Sequence, residues 1–235
     1  MIISAIKQLI DLVFFLFLCR YGNTHSETSL CAQQSTKFRE EARQIIKKSV
    51  NANENDVLLF TGSGSTGAVH TLADNFQLHD RKIRENTVII ISAFEHHSNI
   101  LPWQETGVEV TFFFQKKIIE HSRFFFLSKM VRILTTQQGI LDRSMLEEKL
   151  KHYSRLNKRI ICSLNAASNI TGILTDVDDI SALVHSYSGY IFWDYATAAP
   201  YVKIDMNPSA TAYKDAIFIS THKFVGGPGT PGKNE

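Results

Sequence analysis

Cysteine is scarce in this chain: Cys19, Cys31 and Cys162 are the only three in 235 residues, and they lie far apart. So few and so scattered, they exclude a disulfide framework and a zinc site, which leaves a reducing compartment as the expectation. An excess of charge of one sign is missing as well. The 25 Lys and Arg nearly cancel the 23 Asp and Glu, for a formal charge of +2, so the clustered basic surface that nucleic acid requires is not expected. Long apolar runs are also lacking. Residues 1–19 read MIISAIKQLIDLVFFLFLC, but Lys7 and Asp11 leave only Leu12–Cys19 uninterrupted, short of the ~20 apolar residues of a spanning helix. Cys19-Arg20-Tyr21 is a poor signal-peptide cleavage site. A divergent or mis-assigned start is therefore the expectation for residues 1–20. A signal or membrane anchor over residues 1–19 is the alternative, and the only case that would imply membrane contact. A cytoplasmic address is favoured.

What is present suits a globular protein. Hydrophobic residues make up 44% of the chain, near the ~45–50% of ordinary domains, so wholesale disorder is excluded. Of 16 Phe, nine fall at Phe14, Phe15, Phe17, Phe112–Phe114 and Phe124–Phe126, which sets those stretches apart.

Helical spacing of Phe38, Ala42, Ile45 and Ile46 predicts a helix from about Gln34. Short apolar runs predict buried strands at Val57–Thr61, Thr87–Ser92, Arg159–Leu164, Tyr190–Trp193 and Ala216–Ile219, with further strands near Val108–Phe113 and Val131–Thr135. Between them, Val69, Leu72 and Phe76 mark one helix. Ser144-x-x-Glu147 reads as a capping box opening another, with Leu146, Leu150 and Tyr153 on one face. Val177, Ile180, Leu183 and Val184 mark a third, with Gly189 as its C′ residue. Residues 114–130 show neither period nor turn signal. Strands alternating with helices predict an α/β fold, a mostly parallel central sheet with helices on both faces.

In open α/β sheets, ligands bind beyond the carboxyl ends of the strands. The residues there are Ser63, Gly64, Ser65 and Thr66 after the first run, Glu95 and His96 after the second, Asn169 after Arg159–Leu164, Asp194, and then Ser220, His222 and Lys223. Gly62, Gly64 and Gly67 fit G-x-G-x-x-G, yet the acid that a dinucleotide site wants at the next strand end is missing, and no Lys-Ser/Thr pair completes a P-loop. The physics that survives is a helix start with small hydroxyls, suited to a phosphate; a plain tight turn is the alternative. Adjacent histidines point in different directions, so His96-His97 is a poor metal pair, and no metal is expected. Asp194 closes an apolar strand, where a carboxylate is costly unless a cation is near. Lys223 stands among apolar and glycine neighbours, and desolvation there favours Schiff-base chemistry.

Taken in order, GSGSTGA, EHHSN-x-x-PWQ, SNITG, an Asp ending an apolar strand, and S-x-HK before a Gly-Pro stretch resemble the class V aminotransferases, the fold-type I pyridoxal-phosphate enzymes that include the cysteine desulfurases and selenocysteine lyases. The likeness runs from about Tyr21 to Gly232 and sets apart an unmatched insertion at about 112–130. It implies the large cofactor-binding domain over residues 21–235, pyridoxal 5′-phosphate as cofactor, an amino acid as substrate and a homodimer as the folded state. It gives Lys223, His96 and Asp194 catalytic roles: Schiff-base lysine, ring-stacking histidine, and partner of the pyridinium nitrogen. Asn169 would lie near the 3-oxygen and the substrate, while Gly64, Ser65, Thr66, Ser220 and His222 would hold the phosphate. Thr197 stands where the family usually has Gln beside the 3-oxygen. Only 12 residues follow Lys223 (235 − 223 = 12), so the C-terminal small domain, with its substrate arginine and desulfurase cysteine, is expected to be absent. Neither Cys31 nor Cys162 matches that cysteine. The expected function is a pyridoxal-phosphate enzyme domain acting on an amino acid. The alternative is a truncated, non-catalytic paralogue that binds cofactor weakly or not at all; a nucleotide-binding module ranks last.

Overall fold

TVIIIS at Thr87–Ser92 is buried at all six positions, so this strand must be covered on both faces, the condition that parallel sheets meet. The computed structural model describes residues 15, 19–62, 64–108, 130–133, 135, 136 and 139–225. It places five parallel strands in the order β2-β1-β3-β4-β5: β1 (Thr87–Ser92), β2 (Met130–Ile133), β3 (Arg159–Asn165), β4 (Tyr190–Asp194) and β5 (Ala216–Phe218). Alternate side chains feed two cores. Val88, Ile90, Ile160, Cys162, Leu164, Ile191 and Trp193 join one cluster. Ile89, Ile91, Ile161 and Phe192 join the other, with Trp103 stacked 6.0 Å from the Phe192 ring. The expected α/β architecture, with a mostly parallel sheet and helices on both faces, is the one observed. From β1 the chain moves outward to β2 and then back across to β3, so the switch in direction falls between β1 and β3, where clefts form in such sheets.

The helices are α1 (Leu30–Ser49), α2 (Gly64–Asn75), α3 (Arg81–Glu85), α4 (Leu101–Glu105), α5 (Arg143–Arg155) and α6 (Val177–Ser186), with 3-10 turns at His97–Asn99 and Thr221–Lys223. Two boundaries differ from expectation. Asp142 rather than Ser144 caps α5, its carboxylate accepting from the Met145 amide at 2.9 Å; an aspartate one position before the helix outcompetes a serine already inside its first turn. At the end of α6 the left-handed residue is Ser188 (φ 57°), not Gly189. Glycine is needed at 189 for space, since a Cβ there would lie 2.9 Å from Val184 Cγ1.

Val57–Thr61 is the clearest departure. It belongs to no ladder among the described residues, and Val57 and Leu59 are 81% and 61% exposed. The segment flanks an apolar cleft of about 1080 Å³ whose opposite side is the edge strand β5. Apolar content alone is compatible with a strand, but a ladder needs a neighbour at ~4.8 Å, and the cleft separates this run from β5. The expected strand near Val108–Phe113 and the 114–130 stretch lie outside the described residues, apart from buried Val108 and Met130.

Candidate active site

A cavity of about 290 Å³ opens at the carboxyl ends of β1, β3, β4 and β5. The ten residues that the family resemblance assigns to the site all line it: Gly64, Ser65, Thr66, His96, Asn169, Asp194, Thr197, Ser220, His222 and Lys223; Glu95, also named at a strand end, does not. Ser63 lies outside the described residues. Ser98, Asn165, Ala167 and Ala196 complete the lining and were missed. Asn165 is the last residue of β3, one beyond the apolar run Arg159–Leu164, and it carries the polar signal that could have found it.

One end of the cavity is suited to an anion. Gly64, in left-handed backbone (φ 62°), turns the chain into α2, and the first N–H groups of a helix have no acceptor within it. Ser65 and Ser220, on different elements, are both buried and their hydroxyls lie 2.7 Å apart. Beside them, His222 Nδ1 is a buried nitrogen with no hydrogen-bond partner. Leaving such an atom unpaired costs ~1–3 kcal/mol, and a phosphate oxygen would satisfy it. Hydroxyls, helix-start amides and an unpaired imidazole nitrogen together make a donor set for a phosphoryl group.

Asp194 lines the same cavity and is buried, at 5% exposure. Burial raises its carboxyl above the usual range; the Ala196 N–H, donating to Oδ1 at 2.8 Å, and the charges of Lys223 and His96 oppose that rise. A cation near this acid is the expectation from the sequence, and Lys223 supplies it. His96 is exposed, its Nδ1 held by Ser98 Oγ at 2.8 Å and the Ser98 amide at 3.2 Å. Its ring and that of His97 are 6.1 Å apart and inclined at 76°, and His97 does not line the cavity. Among the described residues no group of three or more His, Cys, Asp or Glu could hold a metal. Lys223 corrects one expectation: it is exposed, not desolvated, because its neighbours Phe224 and Val225 are themselves 39% and 90% exposed and do not cover it. Cys162 is fully buried in β3 with its thiol pushed up by burial, and it does not line the cavity.

Glu95, behind His96, is buried as well. Burial pushes its carboxyl up from 4.5 to about 7; hydrogen bonds from Ser92 and Asn99 pull it down, the Asp194 charge adds to the rise, and the Asn165 amide opposes it. The folded chain thus holds this proton more tightly than the unfolded chain, so the stability it contributes is complete below about 4.5 and is lost as pH climbs through about 7. From pH 5 to pH 8 the wild type is expected to lose ~2 kcal/mol relative to Glu95→Gln, read by urea unfolding of both at each pH. Parallel pH profiles would show that Glu95 does not titrate in this range.

The family model described as "Aminotransferase class-V" matches residues 6–119 and 127–231. The match begins inside the apolar N-terminal stretch and breaks only within the 112–130 region. A probable cysteine desulfurase of Borreliella burgdorferi is 26% identical over 204 residues, which cover 87% of this chain and 42% of that protein. Among solved structures, a NifS-like protein from Rickettsia africae aligns with a TM-score of 0.69 at 20% identity, covering 97% of this chain and 52% of that one. A structure described as SspA in complex with cysteine aligns at 0.62 and 17% identity, over 85% of this chain and 49% of that one. The chain therefore spans about half the length of the relatives it matches. It belongs to the class V aminotransferase family, and its sheet has the fold of the cysteine desulfurases in that family.

Proposed function

We propose that this class V aminotransferase family member binds pyridoxal 5′-phosphate in the cavity above β1, β3, β4 and β5 and acts on an amino acid. The observation that carries the reading is the unpaired buried Nδ1 of His222, set beside the Ser65 and Ser220 hydroxyls at 2.7 Å from each other and in one cavity with Lys223 and Asp194. Gly64, Ser65, Thr66, Ser220 and His222 would hold the phosphate. Asp194 would face the pyridinium nitrogen, His96 the ring, and Asn169 and Thr197 the 3-oxygen side. When bound, the cofactor supplies an electron sink for the substrate α carbon. Lys223 Nζ would be the amine that holds the cofactor covalently, and would carry the proton at the substrate α carbon.

A carboxyl group held against burial suits this assignment. Asp194, made costly by burial, regains favourable interaction when a cationic ring nitrogen comes close. A dinucleotide reading lacks the acid at the end of β1, where Ser92 stands. The substrate is an amino acid by kinship, and the names of the relatives make L-cysteine the first to test.

The chain is mixed with pyridoxal phosphate, reduced with borohydride, digested and examined by mass spectrometry. A visible absorbance band and one covalent adduct, on the peptide carrying Lys223, are the expected results. No adduct at millimolar cofactor would overturn the proposal. A band that forms but is not altered by any amino acid would leave a cofactor-binding, non-catalytic chain.

A further inference from the structure

The paired positions of β1 and β3 run from Thr87↔Arg159 to Ile90↔Cys162. Above them the two strand ends are joined by one side chain. Glu95 Oε1 accepts from Ser92 Oγ at 2.5 Å, at the end of β1, and from the Asn165 backbone N–H at 2.9 Å, at the end of β3. Its Oε2 accepts from Asn99 Nδ2 at 2.7 Å. Asn99 is fixed in turn, its Oδ1 taking Ser163 Oγ at 2.6 Å and Trp103 Nε1 at 3.2 Å. From the other side, Asn165 Nδ2 donates to Phe94 O at 2.9 Å, so the loop between Ser92 and His96 is closed onto β3 through both residues that flank His96's approach.

We propose that Glu95 is a positioning residue for the cofactor site: its carboxylate clamps β1 to β3 so that His96 and Asp194 face the same cavity. The inference rests on the cofactor reading above. His96 directly follows Glu95, and Asn165 pairs with Asp194 in register, with the Ala166 N–H donating to Asp194 O at 3.0 Å. One carboxylate thus reaches the histidine through the chain and the acid through the ladder without lining the cavity. The choice of side chain follows from the donors. Three N–H or O–H groups converge on the two oxygens, and the ionised side chain, the form present above about pH 7, accepts on both without presenting a donor of its own. Glutamine would set its NH₂ against that of Asn99. Asn99 cannot turn over without surrendering its contacts to Trp103 and Ser163.

The test uses the full chain as wild type, Glu95→Gln and Ser92→Ala at pH 8, where Glu95 is ionised, with two readouts. The first is hydrogen exchange at the Asn165 amide, followed by NMR without added ligand. The second is titration with pyridoxal phosphate, giving its dissociation constant and the visible circular dichroism per bound cofactor. For Glu95→Gln, Asn165 exchange is expected to speed up by about tenfold or more, and the dissociation constant to rise by about tenfold, since a charged hydrogen bond is worth about one decade or more. Its dichroism per bound cofactor is expected to fall, because the ring is held less asymmetrically. Ser92→Ala should move all three the same way by less, and it carries the test if Glu95→Gln fails to fold. Unchanged Asn165 exchange would overturn the clamp. Faster exchange with unchanged affinity and dichroism would make Glu95 purely structural and overturn the positioning role. Wild-type protein that takes up no pyridoxal phosphate would overturn the cofactor reading and the positioning role with it, and Asn165 exchange would distinguish that result from a failed clamp.

Discussion

Replacing Lys223 by alanine is expected to abolish the visible absorbance that the wild-type chain gains with pyridoxal phosphate, together with the borohydride-stable adduct on that peptide. Lys223 is the only primary amine among the described residues lining the cavity, so none of these can take over the covalent bond. Its position is set by the 3-10 turn Thr221–Lys223, in which the Lys223 amide donates to Ser220 O at 3.1 Å. The same turn carries Ser220 and His222, so the amine and two phosphate donors are placed by one stretch of backbone. Non-covalent uptake should persist in Lys223→Ala, weaker, through Ser65, Ser220 and His222, and be displaced by inorganic phosphate. That split between lost band and residual phosphate-competed binding is what a covalent lysine in an intact phosphate site produces. A band of undiminished strength would mean that a lysine outside the cavity carries the adduct. Loss of both band and residual binding would mean that the anion site depends on the lysine, against the placement of His222 and the two serines.

The parts of this fold legible in the sequence are those whose signal is local. β1, β3 and β4 are apolar on both sides of the pleat, and nothing but a covered parallel strand suits TVIIIS or YIFW. The site residues were legible for a related reason: the carboxyl end of each strand is a fixed address in this class of sheet, and polar residues at such addresses stand out against apolar runs. What failed was whatever depended on a neighbour. Val57–Thr61 has the composition of a strand but no partner across the cleft to β5. Ser144 resembles a cap until Asp142, two residues earlier, takes that position. Lys223 reads as desolvated from its apolar neighbours, yet those neighbours are exposed. Glu95 appeared only as one acid in a histidine-rich loop, because its three donors come from β1, β3 and the turn at His97–Asn99, which no sequence spacing brings together.

Trp193→Ala is expected to cost ~3–5 kcal/mol, the range for emptying a large aromatic from a core, and so to take up a fifth or more of the ~5–15 kcal/mol that ordinary domains possess. Trp193 has no exposed surface. In β4 it lies between Leu164 of β3 and Ile217 of β5, and its indole N–H donates to Ser181 Oγ of α6 at 2.9 Å. The Ser181 hydroxyl donates onward to Val177 O at 2.6 Å, so the indole fastens the start of α6 to the middle of the sheet. Alanine would leave a cavity that neither rigid neighbour can fill, and would strip the hydroxyl of its donor. Trp193→Phe keeps most of the volume and should cost only ~1–2 kcal/mol, chiefly the lost hydrogen bond. In urea, the unfolding midpoint should fall in that order with the slope unchanged. The consequence reaches the cavity, since Asp194 is the next residue and its carboxylate is held by a backbone amide only two positions on. Under conditions where Trp193→Ala still folds, its cofactor affinity should therefore drop further than that of Trp193→Phe. Equal affinities in the two variants would mean that Asp194 is held by the ladder to Asn165 alone, and that the core beneath it does not set the geometry of the site.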